Sequence, residues 1–382
     1  MTTHFYIGFI LMDLEKIQKE LDYYQKFTPV NYTEERIKFF EHVKKGHPYN
    51  PSFQYKDKLD VKDYEEIKIT LSKEKGRDAI IDEFLSVYKD IVDMMTAWKT
   101  NNYQDISCVS GKLFGSIEDF DLLRAMRVYK RLRVVSQTAE ELHNDRQIGA
   151  RFLKELKERN LEGWVIEYNA ANGGNVSIYE TEKRLVIRTG ATETKLGLEC
   201  AISHELDGHA AQAFNAMANP SYSKWFLSYL GTERQYEGYA TFIEINNLSI
   251  AHINSELESF LVLMIATALA QRSSFYEIYQ EIYKLCEDRD FSYLAAYKAK
   301  RGFRDTAQAG CFQKENSYLL GAIENVKLVE ENKENYYRLS QGCFPLSAIE
   351  LISKKRPKWS IIKDLNKENL EYFKHTMKRI MK

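Results

Sequence analysis

Proline occurs only six times in 382 residues. A proline inside a helix removes an amide donor and clashes with the preceding turn, so its scarcity leaves long helical stretches unbroken. The five cysteines, Cys108, Cys200, Cys286, Cys311 and Cys343, are odd in number and widely scattered. That excludes the close pairs of a zinc knuckle or redox motif and fits a reducing, cytoplasmic setting. Neither sign of charge dominates: 54 basic and 55 acidic residues give a formal net charge of −1. No global field therefore draws the chain to nucleic acid or to an anionic membrane. Long hydrophobic runs are also missing. The longest internal one, "FLVLMIATALA" at 260–270, is about half of the ~20 residues that span a bilayer. The opening "HFYIGFILM" at 4–12 has no basic region before it and no small-residue cleavage site after it, which marks a buried segment rather than a leader. No membrane crossing is expected. There is no repeat of 20–50 residues and no low-complexity tract. The locally basic tail, "KKRPKW" and "KHTMKRIMK", reads as a solvated helix face.

What is present points to a globular protein with a large core: 44% hydrophobic residues, 29% charged, 25 tyrosines and 20 phenylalanines. From Leu14 to about Asn160 apolar positions recur at three- and four-residue steps, as in "YEEIKITLSKEKGRDAIIDEFLSVYKDIVDMMTAWKT" at 64–100, which predicts helices. The breaks are "KKGHPYNPSFQY" at 44–55 and "SGKLFGSIED" at 110–119. Past Leu161 the character changes. "GWVIEYN" (163–169), "NVSIYE" (175–180) and "RLVIRTG" (184–190) are short runs rich in β-branched and aromatic residues, expected to form a three-stranded antiparallel sheet. Thr192 or Thr194 then caps a helix carrying "KLGLECAISHELDGHAAQAFNAMAN", after which helices continue to the C-terminus. The expected organisation is a helical region at 1–150, a catalytic core at 151–345 and a helical tail at 346–382 packed on that core. The fold class is α+β and mostly helical.

"HELDGH" at 204–209 holds a histidine, a glutamate and a second histidine. Zinc hydrolysis needs imidazole or carboxylate ligands, an open position for water and a nearby carboxylate to take the water's proton. Histidines four apart lie about 40° apart around a helix and share a metal, whereas His204 and His209, five apart, would diverge by about 140°. A π-bulge, closing i to i+5 bonds, restores them to one face. Gly208 is the residue that relaxes the backbone most cheaply. Downstream, "TERQYEGYATFIEINN" at 232–247 spaces Glu233, Glu237 and Glu244 by four and seven, on one face of a helix otherwise fit for burial. Unpaired carboxylates there would be costly, so metal ligation is the favoured reading of that face.

Together "HELDGH" and "YEGYATFIE" resemble the signatures of the microtubule-associated tyrosine carboxypeptidase family and its prokaryotic relatives, the QEGLA-motif proteins. Further patches support the likeness: "NPSFQY" (50–55), "SGKLFG" (110–115), "TGATETKLGLECAISHE" (189–205) and "RGFRDTAQAGCFQKENSYLLG" (301–321). The resemblance implies a zincin-like metallopeptidase with a small antiparallel sheet beside the metal-binding helices. It implies one Zn2+ held by His204, His209 and Glu237, Glu205 as general base, and Glu244 as a supporting carboxylate. The chain departs from the family at Tyr236, where Gln or Glu is frequent, at Tyr239 in place of Leu, and at Asp207-Gly208 in place of Gly-Thr. These changes leave every proposed ligand in place and bear on substrate preference.

A carboxypeptidase must also grip a terminal carboxylate, for which the planar fork of arginine is suited. "YKAKRGFR" at 297–304 gathers basic residues. Arg301 and Arg304 are the substrate-binding candidates of this cluster, and the resemblance supports Arg301 and adds Lys314 and Tyr318, with Tyr318 or another phenol as a donor to the oxyanion. The strand "RLVIRTG" is a candidate partner for an extended substrate by strand addition. The expected partner is a peptide or protein C-terminal tail, with no nucleic acid and no membrane, and the expected reaction is removal of a C-terminal residue, tyrosine or another aromatic. The competing readings are a non-catalytic tail-binding protein on the same fold, and a zinc aminopeptidase or dipeptidyl peptidase. The last is suggested by the H-E-x-x-G-H of dipeptidyl peptidase III, which the rest of the chain does not resemble.

Overall fold

A computed structural model describes residues 16–74, 78–118, 120–136, 142–161, 163–170, 174–218, 230–353 and 365–381. The opening apolar run at 4–12 and the basic "KKRPKW" at 354–359 lie outside the described residues. The chain forms two compact units, one of Met1–Ile117 with Leu263–Glu315, the other of Glu118–Val262 with Asn316–Lys382. Each is built from two separate passages of chain, rather than from consecutive stretches.

The first unit is helical. Its longest helix, Ala79–Lys99, starts where the Asp78 carboxylate accepts the amides of Ile80 and Ile81, satisfying two of the donors a helix start leaves open. Phe84, Leu85, Tyr88, Ile91, Val92, Met95 and Trp98 on it are buried, the three- and four-residue rhythm visible in the sequence. The helix Tyr103–Phe114 ends at Gly115, whose φ of 102° only glycine adopts cheaply. Here is the break foreseen at 110–119. Rings fill this unit: Phe27 meets Trp98 at 5.1 Å and Phe312 at 5.4 Å, while Phe39 meets Phe275 at 5.2 Å and Tyr293 at 5.1 Å.

The second unit carries the strands and is mixed α+β. It runs β1 (Leu142–Asn144), α1 (Asp145–Glu158), β2 (Val165–Tyr168), β3 (Val176–Tyr179), β4 (Arg184–Ile187) and β5 (Thr192–Thr194). Then come α2 (Lys195–Ile202), a π-helical segment (Ser203–Ala210), α3 (Ala211–Met217), α4 (Glu233–Asn247) and α5 (Asn316–Glu331). The three expected strands form one sheet, but it is not wholly antiparallel. Its order is β2-β4-β3, with β3 antiparallel and β2 parallel to β4. Leu185, Val186 and Ile187 of β4 are buried, and a strand buried on both faces sits best in the middle. β4 therefore takes the centre, and β2, two strands earlier in the chain, pairs with it in parallel. An unforeseen second ribbon joins β1 to β5, antiparallel, with Leu142 opposite Thr194.

The core of the second unit packs Ile148, Phe152 and Leu156 of α1 against Leu185, Ile187, Leu198, Ile202 and Leu206. The helix Ile250–Ala270 is long and apolar enough to span a bilayer by length and composition, a longer stretch than the run at 260–270, and 61% of its most apolar window is buried inside the protein.

Candidate metal centre

Thr194 caps the helix that carries the paired histidines: its hydroxyl accepts the Gly197 amide at 3.0 Å. Eight residues on, the helix widens into the π-helical segment Ser203–Ala210, entered and left in ordinary right-handed torsions (φ −63° at Ile202, −64° at Ala211). The extra residue returns the two imidazoles to one side, with ring centroids 4.7 Å apart and planes at 84°. Gly208 contributes differently from the sequence-based expectation. A Cβ there would lie 2.7 Å from the Cβ of Ala240 and 2.8 Å from its Cα, so the glycine admits α4 at close range. Asp207 accepts from Arg159, the residue that caps the C-terminal end of α1, through Nε at 2.8 Å and Nη2 at 3.3 Å. This two-pronged contact ties the widened segment to α1.

α4 supplies the third group. Almost all of its residues are buried, because glycines let neighbours approach its backbone directly. A Cβ on Gly238 would meet the carbonyl carbon of Gly321 at 2.4 Å, and one on Gly321 would meet the Arg234 oxygen at 2.2 Å. The two glycines thus permit the close crossing of α4 and α5. The Gly and Ala of "EGYA" are accordingly packing residues, Gly238 toward α5 and Ala240 toward Gly208.

At this crossing Glu237 Oε2 lies 3.3 Å from His204 Nε2 and 3.4 Å from His209 Nε2. The three groups offer ligand atoms all within 4.8 Å of one another. For zinc with bonds of ~2.0–2.2 Å, neighbouring ligands of a tetrahedral site stand ~3.3 Å apart, so the separation of the Glu237 oxygen from each histidine nitrogen suits that ion. The other atoms of these groups are held as well. His204 Nδ1 lies 3.0 Å from Glu244 Oε1, and Tyr318 donates its hydroxyl to Glu237 Oε1 at 3.2 Å while its ring stacks on Phe260 at 4.4 Å. A carboxylate behind a histidine fixes the tautomer that leaves Nε2 facing the ligand position. Glu233, the remaining acid of that face, is fully buried and is not one of the converging groups.

Burial raises the Glu205 carboxyl to about 8, helped by the charges of Glu237, Glu180 and Glu244 and opposed by His204. Burial likewise lifts Glu180 to about 7 and raises Glu244. Burial works against a charge on His204, yet the Glu244 charge and its bonds to Glu237 and Glu244 hold its pKa well above the usual histidine range. Several carboxyls thus crowd two imidazoles in a small, poorly solvated space. Such a surplus of negative charge is what a divalent cation neutralises.

Two residues with no signal in the sequence complete the surroundings. Tyr236, noted only as a departure, lies flat on the His209 ring (3.7 Å, 16°), and its hydroxyl donates to Glu180 at the end of β3. On the far side Cys200 bonds to Glu256 of the helix Ile250–Ala270. The basic candidates fare otherwise. Arg301 donates to the Tyr24 carbonyl at 2.8 Å and to Thr28 Oγ1 at 3.1 Å, Arg304 to the Trp98 carbonyl and Asn101 Oδ1, both at 2.9 Å, and Lys314 stands over the Tyr24 ring at 5.8 Å. All three belong to the first unit and serve its packing, whereas Tyr318 belongs to the second and touches Glu237. β4 is flanked on both sides by β2 and β3, so it cannot accept a substrate strand. β3 is an edge strand of that sheet, and it lies against the π-helical segment.

A family model described as "Microtubule-associated tyrosine carboxypeptidase" matches residues 38–358, most of the chain. Among curated proteins, the mouse (Mus musculus) "Putative tyrosine carboxypeptidase MATCAP2" is 22% identical over 306 residues, 79% of this chain and 50% of that protein. The mouse "Microtubule-associated tyrosine carboxypeptidase 1" is 22% identical over 303 residues, 77% and 54% respectively. The chain spans about half the length of these relatives. A crystal structure described as "the putative lipoprotein from Colwellia psychrerythraea" superposes with a TM-score of 0.48 and 10% identity over 82% of this chain and 66% of that one, too loose a likeness to define the fold.

Proposed function

We propose, from the premise that this chain belongs to the microtubule-associated tyrosine carboxypeptidase family, that it is a zinc-dependent carboxypeptidase of the cytoplasm removing a C-terminal residue, tyrosine or another aromatic, from a peptide or protein tail. The observation that carries the metal part of this reading is the convergence of His204 Nε2, His209 Nε2 and Glu237 Oε2 at 3.3–3.4 Å about Glu237. A zinc ion there supplies a Lewis acid that polarises the scissile carbonyl and makes water acidic near neutral pH.

The chain's own groups do the rest. Glu205 follows His204 directly on the π-helical segment, and its carboxyl, raised toward neutrality, suits a group that takes a proton from the attacking water and returns it to the leaving amine. Glu244 keeps His204 turned with Nε2 toward Glu237, and the Tyr318 hydroxyl steadies Glu237. The outer edge of β3 offers backbone groups to an extended peptide, with its C-terminal end directed at the π-helical segment.

The test joins metal analysis to a peptide library read by mass spectrometry. The expected result is about one zinc per chain and trimming from the C-terminus that falls at least ~100-fold in Glu205→Gln, in line with removal of a general base. Loss of N-terminal residues instead would make the protein an aminopeptidase. Bound zinc with no Glu205-dependent cleavage of any peptide would make it a tail-binding protein.

A further inference from the structure

The geometry points to Tyr236 and Glu180 as a positioning pair for His209: the phenol ring clamps one face of the imidazole, and the Glu180 carboxylate tethers the phenol. His204 has an obvious positioner in Glu244, and Glu237 has one in Tyr318. For His209 the corresponding contact is a ring. Tyr236 stacks on it at 3.7 Å with an interplanar angle of 16°, close enough for broad van der Waals contact across the whole imidazole.

A stacked ring fixes orientation only if it is itself fixed. Tyr236 is 7% exposed and Glu180 8% exposed, and the phenol donates to Glu180 Oε1. Glu180 opens the short 3-10 turn Glu180–Glu182 between β3 and β4, so the tether runs from the sheet to α4 and onward to the widened helix. The residue beside the third ligand and the second histidine are thereby joined by stacking, and the sheet is joined to both by one hydrogen bond.

The inference rests on the metal reading of the site, and its test separates the two. Zinc release from the loaded protein is followed with a chromophoric chelator, and the visible spectrum of the cobalt-substituted protein reports ligand geometry. Tyr236→Leu, which removes ring and tether, is expected to release zinc about 10–100-fold faster, the usual range for losing a ligand's supporting partner. Tyr236→Phe cuts only the tether and is expected to give a smaller rise, whereas Glu180→Ala cuts the tether and also removes a charge near the site, so Glu180→Gln, which removes the charge but keeps an acceptor, is its control. The double variant Tyr236→Phe with Glu180→Ala should be no worse than Glu180→Ala alone, because the two groups act through one bond. Glu180→Ala should release zinc faster than Glu180→Gln by about the factor that separates Tyr236→Phe from the wild type, because that factor is the tether alone. If the wild-type protein holds zinc while the tether variants release it at the wild-type rate, or add independently, the positioning role is overturned and the metal reading stands. A wild-type chain that takes up no zinc or cobalt overturns both. Tyr236→Phe is a conservative change, so the test survives even if Tyr236→Leu fails to fold.

Discussion

The two units solve the problem of buried polar groups in opposite ways. In the first, Lys300 is wholly buried, yet its Nζ meets three carbonyls, those of Ala270, Gln308 and Gly310, at 3.1, 2.6 and 2.8 Å. Burial, opposed by the charges of Cys311, Glu277 and Asp305, lowers its pKa to about 7, and the three carbonyls match the three donors of its ammonium form. In the second unit Glu180, Glu205, Glu244 and Glu256 all have carboxyls raised by burial. The buried cation of the first unit finds its partners within the chain, while the crowded carboxyls of the second are the groups that the proposed zinc ion would relieve.

That contrast can be broken from either side. The largest effect should come from stripping the metal with a chelator. If the ion is bound a thousandfold above its dissociation constant, its loss removes about 4 kcal/mol. Hydrogen exchange should then quicken across 195–217 and 233–247 and stay unchanged across 79–114. Equal loosening in both units would remove the distinction. Next comes Gly321→Ala, whose added methyl would lie 2.2 Å from the Arg234 carbonyl and 2.9 Å from the Gly238 Cα. Backbone cannot give way as a side chain can, so a cost of about 3 kcal/mol is expected by thermal unfolding, along with weaker zinc retention as Tyr318 is pushed from Glu237. Lys300→Met probes the other unit, taking the ammonium from the Gln308 and Gly310 carbonyls while the Ala270 carbonyl keeps the Gly310 amide. A loss of about 2–3 kcal/mol is expected, with zinc content unaltered.

The smallest effect concerns Glu256. Its carboxyl is raised by burial first, then by the Glu244 charge, while the bond from Cys200 opposes the shift. A carboxyl raised in the folded chain adds stability that is complete below its unfolded pKa and is lost as pH climbs through the folded one. Replacing it with the neutral isostere in Glu256→Gln should therefore stabilise the metal-free protein by a few degrees at most, with a gap that widens from about pH 5 through neutrality. A gap that narrows with rising pH would refute the burial account.

How much of this was readable beforehand depends on whether the information is local. His204, Glu205 and His209 lie on one helical turn, and the misfit between a five-residue spacing and a 3.6-residue period already called for an extra residue. The helix at 233–247 was equally clear from its carboxylates set among apolar neighbours. The parallel pairing of β2 with β4 was not, because short strands show their propensity but not their partner. Arg301 and Arg304 misled for a similar reason: a basic cluster has the same composition whether its guanidinium groups face a substrate carboxylate or, as here, backbone carbonyls of the same unit. Glu180 carried no signal at all, being one acid in "YETEK", and its contact with Tyr236 exists only once the sheet is placed against α4.

The crossing of α4 and α5 also sets an order of assembly during synthesis. His204, His209 and Glu237 leave the ribosome within 34 residues of one another, and closing a connection of that length costs little entropy. α5, with Tyr318 and Gly321, follows only after residues 263–315 have been made for the other unit. If zinc is the ion of the proposed site, a nascent chain has all three of its ligand groups before the helix that packs over them exists, and early capture would give the late-arriving α5 a formed surface on which to dock.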